Sequence, residues 1–201
     1  LLSQPGITFL KGEAHFVSAH VVEVNGEQIE ATNIIIATGS RSKMPPFLKE
    51  AEIQEQPADA RHIVTSTGLL SIKEVPQRLT IIGAGAIGME FASAFAAFGS
   101  EVTVIEFMKE CLPPVDSDIA KRLRKTLEKR KVTFFMQSAV KQIVPPAGKE
   151  QPAATVVFDR KGKEQTVETD LVLIATGRQP NVEQIGLETA GIGFSPKGIA
   201  V

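Results

Sequence analysis

The chain has 201 residues, is 43% hydrophobic and 22% charged, and balances 22 Lys and Arg against 23 Asp and Glu. That composition excludes a disordered chain and a strongly basic nucleic-acid or membrane binder, and it supplies enough apolar residues for a sizeable core. The single cysteine, Cys111, excludes an intrachain disulfide and argues against a cysteine-based zinc site, and no apolar run reaches the roughly 18 residues of a membrane span. Trp and Tyr are absent and Phe occurs 11 times, so the aromatic residues read mainly as core filler.

The chain opens Leu1-Leu2-Ser3-Gln4 without Met or a secretory pattern and closes within Gly198-Ile199-Ala200-Val201, which reads as the start of a strand. These ends suggest a piece of a longer protein, and a cytoplasmic setting is expected. The first 40 residues read as β structure. The runs Ile7 to Leu10 and Val21 to Val24 are broken by Gly12 and by Asn25-Gly26, a strong hairpin signal. Ile34-Ile35-Ile36-Ala37 is an unbroken apolar run, predicted as a strand buried on both faces, and it empties into Thr38-Gly39-Ser40. Residues 41–62, with Pro45-Pro46 and Pro57, read as a connector, and 66–73 can hold a short helix.

After Pro76 the pattern sharpens. Leu79 to Ile82 is a short apolar strand, and Gly83-Ala84-Gly85-Ala86-Ile87-Gly88 follows. A helix from Met89 to Phe98 comes next, with Ile87, Phe91, Ala94, Phe95 and Phe98 predicted as its buried stripe and Gly99 as its C-terminal cap. Glu101 to Glu106 is the next strand. Asp116 or Ser117 can cap a helix to about 130, with Ile119, Leu123 and Leu127 on one face and its Lys and Arg solvated. Val132 to Phe135 is a third strand. Residues 139–144, 154–159 and 164–169 read as a β-meander turning at Arg160 to Lys163, and Leu171 to Ala175 is a buried strand ending in Thr176-Gly177-Arg178. The order strand, helix, strand, helix, strand over 79–136 specifies a parallel sheet. The predicted class is α/β: a Rossmann-like, three-layer domain of parallel sheet and meander, flanked by β-rich segments.

Gly83 to Gly88 matches G-x-G-x-x-G with a strand before it and a helix after it, and Glu106 lies about 20 residues on, at the end of the next strand. Gly83 allows a tight turn, Gly85 lets a pyrophosphate approach the backbone, and Gly88 lets the helix pack on the strand. The helix N-terminus then meets the phosphates. Glu106 can accept both ribose hydroxyls of an adenosine half, and its charge would repel a 2′-phosphate, which favours NAD over NADP; Lys109, three residues on, would soften that preference. The plain alternative is a glycine-rich turn with no ligand. A second signal is an echo: Ile34-Ile35-Ile36-Ala37-Thr38-Gly39-Ser40 is repeated in form by Val172-Leu173-Ile174-Ala175-Thr176-Gly177-Arg178. Two such strand ends bracketing the glycine motif suggest two related nucleotide-binding units.

The two Ala-Thr-Gly strand ends, the glycine motif between them and the tail Gly177-Arg178-Gln179-Pro180-Asn181 resemble the flavoprotein (pyridine nucleotide–disulfide) oxidoreductases. Ile81 to Glu106 and Ser66-Thr67-Gly68-Leu69-Leu70 resemble the dihydrolipoamide dehydrogenase branch. The resemblance implies that residues 1–41 are the end of an FAD-binding domain, 42–75 a connector, 76–185 an NAD-binding domain, and 186–201 the return into the FAD domain. It implies that Gly83, Ala84, Gly85, Ala86, Ile87, Gly88, Glu106, Val140 and Gly177 lie against NAD, with Glu90 near the nicotinamide–flavin stack. Gly12, Ala14, Thr38, Gly39 and Ser40 would lie by FAD. It implies a parent enzyme that exchanges hydride between NAD and FAD, passes electrons to or from a cysteine pair and lipoamide, and dimerises through a C-terminal domain. The first glycine motif, the Cys-x4-Cys pair and the active-site His with its Glu partner do not occur in these residues. No catalytic residue is therefore assigned, and the segment alone is expected to be inactive. Cys111 is expected to be a loosely buried thiol, and His15, His20 and His62 surface or turn residues. The rival readings are another member of the family (a mercuric or glutathione-type reductase, a transhydrogenase or an NADH oxidase) and a non-catalytic nucleotide-binding module.

Overall fold

The computed structural model describes residues 4–49, 52–53, 63–145 and 154–200. Pro57 and His62 lie outside them. The chain divides into two compact units, one made of Leu1–Arg41 with Arg178–Val201, the other of Ser42–Gly177.

The first unit begins with an antiparallel sheet of β1 (Ala14–Ser18), β2 (Val21–Val24) and β3 (Glu27–Glu30). Asn25 and Gly26 have φ of 55° and 83°, and Val24 pairs with Glu27, so the hairpin has the two-residue turn expected of Asn-Gly. The strand β4 (Ser40–Ser42) follows. Two predicted strands are not formed. Ile7 to Leu10 has no strand partner and is exposed. Ile34 to Ala37 also runs unpaired: Ile34 and Ile36 pack on Phe16 and Leu187, while Ile35 is 91% exposed. A strand buried on both faces needs cover on both, and here only one face has any.

The second unit is a three-layer α/β structure. Its parallel sheet runs in the order β5 (Ile63–Val64), β12 (Leu171–Ile174), β6 (Arg78–Ile82), β7 (Glu101–Ile105) and β8 (Thr133–Phe135). Alternation along the strands divides the core. Leu79, Ile81, Val102, Val104, Leu171 and Leu173 share a cluster with Met89, Ala92 and Phe95 of α2 (Ala86–Ala97) and with Ala120 and Leu127 of α3 (Ser117–Lys129). Ile82, Ile105, Val172 and Ile174 face Val156 and Phe158 of the antiparallel meander β9 (Ser138–Val144), β10 (Ala154–Arg160) and β11 (Lys163–Thr169). A single-turn helix, α1 (Ser66–Leu69), precedes β6.

The helices form where predicted, but their buried faces differ. On α2 the buried residues are Gly88, Met89, Ala92 and Phe95, whereas Ile87, Phe91 and Ala94 are half-buried and Phe98 is 65% exposed. The helix carries one charged residue, Glu90, so its sequence hardly distinguishes one face from another, and close packing selects the face with Gly88 and Ala92. Its end is a Schellman cap: the Ser100 N–H donates to Phe95 O at 3.0 Å and the Gly99 N–H to Ala96 O at 3.3 Å, with Gly99 at φ 97°. On α3 the buried residues are Ala120 and Leu127, while Ile119 and Leu123 face solvent. Between the two buried residues in sequence lies Arg124, whose guanidinium donates to Glu110 at 2.8 and 3.1 Å and to Glu128 at 2.5 Å, so one of the bases assigned to the solvated face is bound instead. Asp116 is the N-terminal cap by position but makes no side-chain bond there.

The segment read as a free connector is packed over its described part. Leu48 is buried with Phe47 and Ile53 among the residues between sheet and meander. After Gly177 the chain adds β13 (Arg178–Pro180), which pairs with β4, and the hairpin of β14 (Phe194–Ser195) and β15 (Gly198–Ile199).

Candidate functional site

The sheet order places β6 at the centre, with β7 reached through α2 on one side and β12 on the other. This is a topological switch point, and the crevice beyond the strand ends there is where open parallel sheets bind ligands. The glycine turn fills it. Gly83 has φ 106°, and a Cβ on it would lie 2.4 Å from Ala175 O at the end of β12. A Cβ on Gly88 would lie 2.1 Å from Gly83 O and 3.3 Å from the Ile81 side chain. Both glycines are therefore demanded by backbone that cannot yield. Gly85 differs: a Cβ there would meet nothing within 4 Å. It is the N-cap of α2, extended at φ −73° and ψ −174°, and no side chain caps the helix. The N–H groups of the first helical turn have no intrahelical acceptors, so an uncapped helix end faces unfilled space at Gly85.

Glu106 stands at the end of β7. It is 8% exposed, and its two oxygens hold two turns: Ala84 N–H donates to Oε2 at 2.5 Å and Met108 N–H to Oε1 at 2.7 Å. The Ala84 carbonyl accepts from Leu112 N–H at 2.8 Å, and Gly83 N–H donates to Ile105 O at 2.9 Å. The glycine turn is thus tied to the end of β7 at two points and to the loop beyond it, at Leu112, at a third. Each carboxylate oxygen keeps a further lone pair for an outside donor.

A cavity of about 620 Å³ opens over this turn. Of the residues expected against NAD, it is lined by Gly83, Gly85, Glu106, Val140 and Gly177. Ala84, Ala86, Ile87 and Gly88 form the turn and helix start behind it, and Glu90 is exposed one helical turn on, outside the lining. Lys109 is exposed and also outside it. Sequence reasoning missed one wall: Lys43 to Phe47 line the cavity. Lys43 N–H donates to Gly177 O at 3.0 Å, and Thr176 Oγ1 donates to Lys43 O at 2.7 Å. The proline pair that made this stretch read as a linker also stiffens it, but nothing local reveals what it packs on.

The residues expected by FAD all lie in the first unit. Thr38 to Ser40 are clasped by the Arg178 to Asn181 tail. Thr38 Oγ1 donates to Asn181 O at 2.7 Å, Asn181 Nδ2 to Thr38 O at 2.9 Å, and Asn181 N–H to Gly39 O at 3.0 Å. Arg178 Nε donates to Ser40 Oγ at 2.7 Å. Ala14 is exposed at the start of β1. Gly12 has a packing role, because a Cβ there would lie 2.4 Å from the Asn25 side chain, which itself donates to Lys11 O at 2.9 Å.

Cys111 is fully buried, more deeply than expected, with Sγ 3.4 Å from Ala120 O. Burial, reinforced by the neighbouring Glu110 carboxylate, pushes its thiol up to about 11. His15 lies 3.9 Å from Glu23 on the surface, and His20 is exposed in a turn. No helix among the described residues is long and apolar enough to cross a membrane.

The family model described as pyridine nucleotide-disulphide oxidoreductase matches residues 1–201. The chain belongs to this family. Its similar relatives include the dihydrolipoyl dehydrogenases of Bacillus subtilis, 37% identical over 99% of this chain and 41% of the relative, and of Staphylococcus aureus, 34% identical over 99% and 41%. Among solved structures, the HOCl-induced flavoprotein disulfide reductase RclA from Escherichia coli aligns with a TM-score of 0.78 and 33% identity, over 98% of this chain and 42% of that one. The chain thus spans about two-fifths of the length of these relatives.

Proposed function

We propose that residues 76–185 are the NAD-binding domain of a flavin-dependent disulfide oxidoreductase of the dihydrolipoamide dehydrogenase type. Residues 1–41 and 186–201 then belong to its FAD domain, and the whole enzyme works as a cytoplasmic homodimer. The observation that carries the reading is Glu106: a carboxylate fixed by the Ala84 and Met108 N–H groups at the edge of a cavity floored by an open helix end. Its free lone pairs suit the adenosine ribose hydroxyls, and the Gly85 gap suits the pyrophosphate. The nicotinamide and the flavin supply the hydride chemistry when bound. The chain's own part is to bind, orient and exclude water. Val140 and Gly177, on the same cavity, would also lie against NAD.

Cys111 cannot supply a redox disulfide, since that requires two thiols. The 201 residues by themselves should therefore bind NADH weakly, retain no flavin and reduce no lipoamide. Fluorescence titration with NADH and NADPH tests the reading. NADH should bind at least about tenfold more tightly, since a carboxylate beside a 2′-phosphate repels it. Glu106→Gln should narrow that ratio. Tighter binding of NADPH by the unmodified chain would refute the role given to Glu106, and copurified flavin would refute the division of labour.

A further inference from the structure

We propose that Lys43, from the segment before the NAD-binding domain, is a binding residue for the dinucleotide pyrophosphate. The inference rests on the NAD reading of the cavity and adds to it a charged group from outside the glycine motif. Of the residues lining the cavity, Lys43 is the cation and Glu106 the anion; the others are neutral. The glycine motif brings no cation of its own, and Glu90, two residues after it, is acidic. The helix end contributes roughly half a positive charge. A doubly anionic pyrophosphate is therefore left under-compensated by the turn alone, in a cavity whose fixed charge is Glu106.

The backbone of Lys43 is pinned where a compensating charge is useful. It is held on both sides, to Gly177 O and by Thr176 Oγ1, at the end of β12. That strand end is the one against which Gly83 packs, through Ala175. In the order β12, β6, β7, Lys43 and Glu106 thus flank the glycine turn from opposite sides. Pro45 and Leu48 are buried behind it, and Leu48 N–H donates to Pro45 O at 3.1 Å, so the stretch is a turn packed on the core. The ammonium has no ion pair or hydrogen bond among the described residues. Its flexible stem lets it follow a phosphate as a point charge. Ribose hydroxyls go to Glu106, and phosphates go to the helix end and Lys43.

The test uses the 201-residue chain, NADH by fluorescence, and ADP and adenosine by competition with NADH. Lys43→Gln and Lys43→Met should each weaken NADH and ADP about tenfold, the scale of one charge-assisted contact, and flatten the loss of affinity with added salt. Adenosine, which lacks phosphate, should bind as before. Lys43→Arg should keep NADH affinity within about threefold. Urea midpoints matching the unmodified chain establish that the variants fold. If both neutral variants bind NADH and ADP within about twofold of the unmodified chain, or if adenosine weakens equally, the role of Lys43 is overturned while the cavity remains an NAD site. If the unmodified chain binds neither NADH nor ADP, both readings fall together.

Discussion

Gly88→Ala isolates what the glycine turn requires. The new Cβ would sit 2.1 Å from Gly83 O and 3.3 Å from the Ile81 side chain. Contacts of a real Cβ with oxygen essentially never fall below about 3 Å, so roughly 1 Å of separation must be found between two pieces of backbone. Neither can swing aside: Gly83 is bonded to Ile105 and backed by Ala175, and Gly88 lies in the first turn of α2. The helix must therefore tilt off β6, loosening Met89 and Ala92 from the sheet. Overpacking costs about 1–3 kcal/mol, and a clash between two pieces of backbone falls in the upper part of that range, about 2–3 kcal/mol. Replacing Gly by Ala within a helix returns about 1 kcal/mol. The expected net loss is about 1–2 kcal/mol, read as a lowered urea midpoint at unchanged slope, with NADH affinity falling at least about tenfold as the turn is displaced. Gly85→Ser is the counterpart. Its extended φ and ψ suit Ser, and its Cβ meets nothing within 4 Å, so the midpoint should hold within about 0.5 kcal/mol. Its hydroxyl would instead cap the N–H groups proposed to bind phosphate, so NADH binding should weaken with the fold intact. A Gly88→Ala chain as stable as the original, or a Gly85→Ser chain that binds NADH unchanged, would refute this account of the turn.

Two further outcomes follow from the α3 side of the same unit. Arg124 hydrogen-bonds Glu110 and holds its carboxyl below the usual range, so that pair stabilises the fold above the unfolded carboxyl value and the contribution is lost as pH falls through the depressed one. Arg124→Gln should cost about 1–3 kcal/mol at pH 7 and much less at pH 3, measured by urea unfolding at both; an equal loss at both would show that packing of the arginine stem, not the charge, matters. Cys111, raised to about 11 by burial, should resist a disulfide reagent at pH 8 in the folded chain and react fully in urea. Rapid modification without unfolding would contradict its placement under Ala120.

The elements that could be read from the residues are those whose cause is local. Asn25-Gly26 forms its hairpin because both positions must take positive φ, and Gly83 and Gly88 are recognisable because a turn and a close approach admit no side chain. Glu106 was found by spacing alone. The stripe on α2 misled because a helix apolar all round carries no phase, and the sheet selected the small residues. The stripe on α3 misled differently: Arg124 gained its place opposite Glu110, an ion pair 14 residues apart in sequence that no helical period encodes. Ile34 to Ile36 has the composition of a buried strand, but composition does not supply the neighbours that make one.

The sequence by itself determined the order of strands and helices over residues 79–136, the glycine turn and the acid that follows it, because local backbone geometry and a fixed spacing dictate those residue types. Only the tertiary structure decided that Glu106 holds the turn through Ala84 and Met108, and that Lys43 stands across from it on the same cavity. Over the whole chain the charges nearly balance, which excludes a basic field. What matters to an anion at the proposed site is the cavity, where Glu106 and Lys43 both line the space over a helix end, and that arrangement is made by strand order, which composition cannot contain.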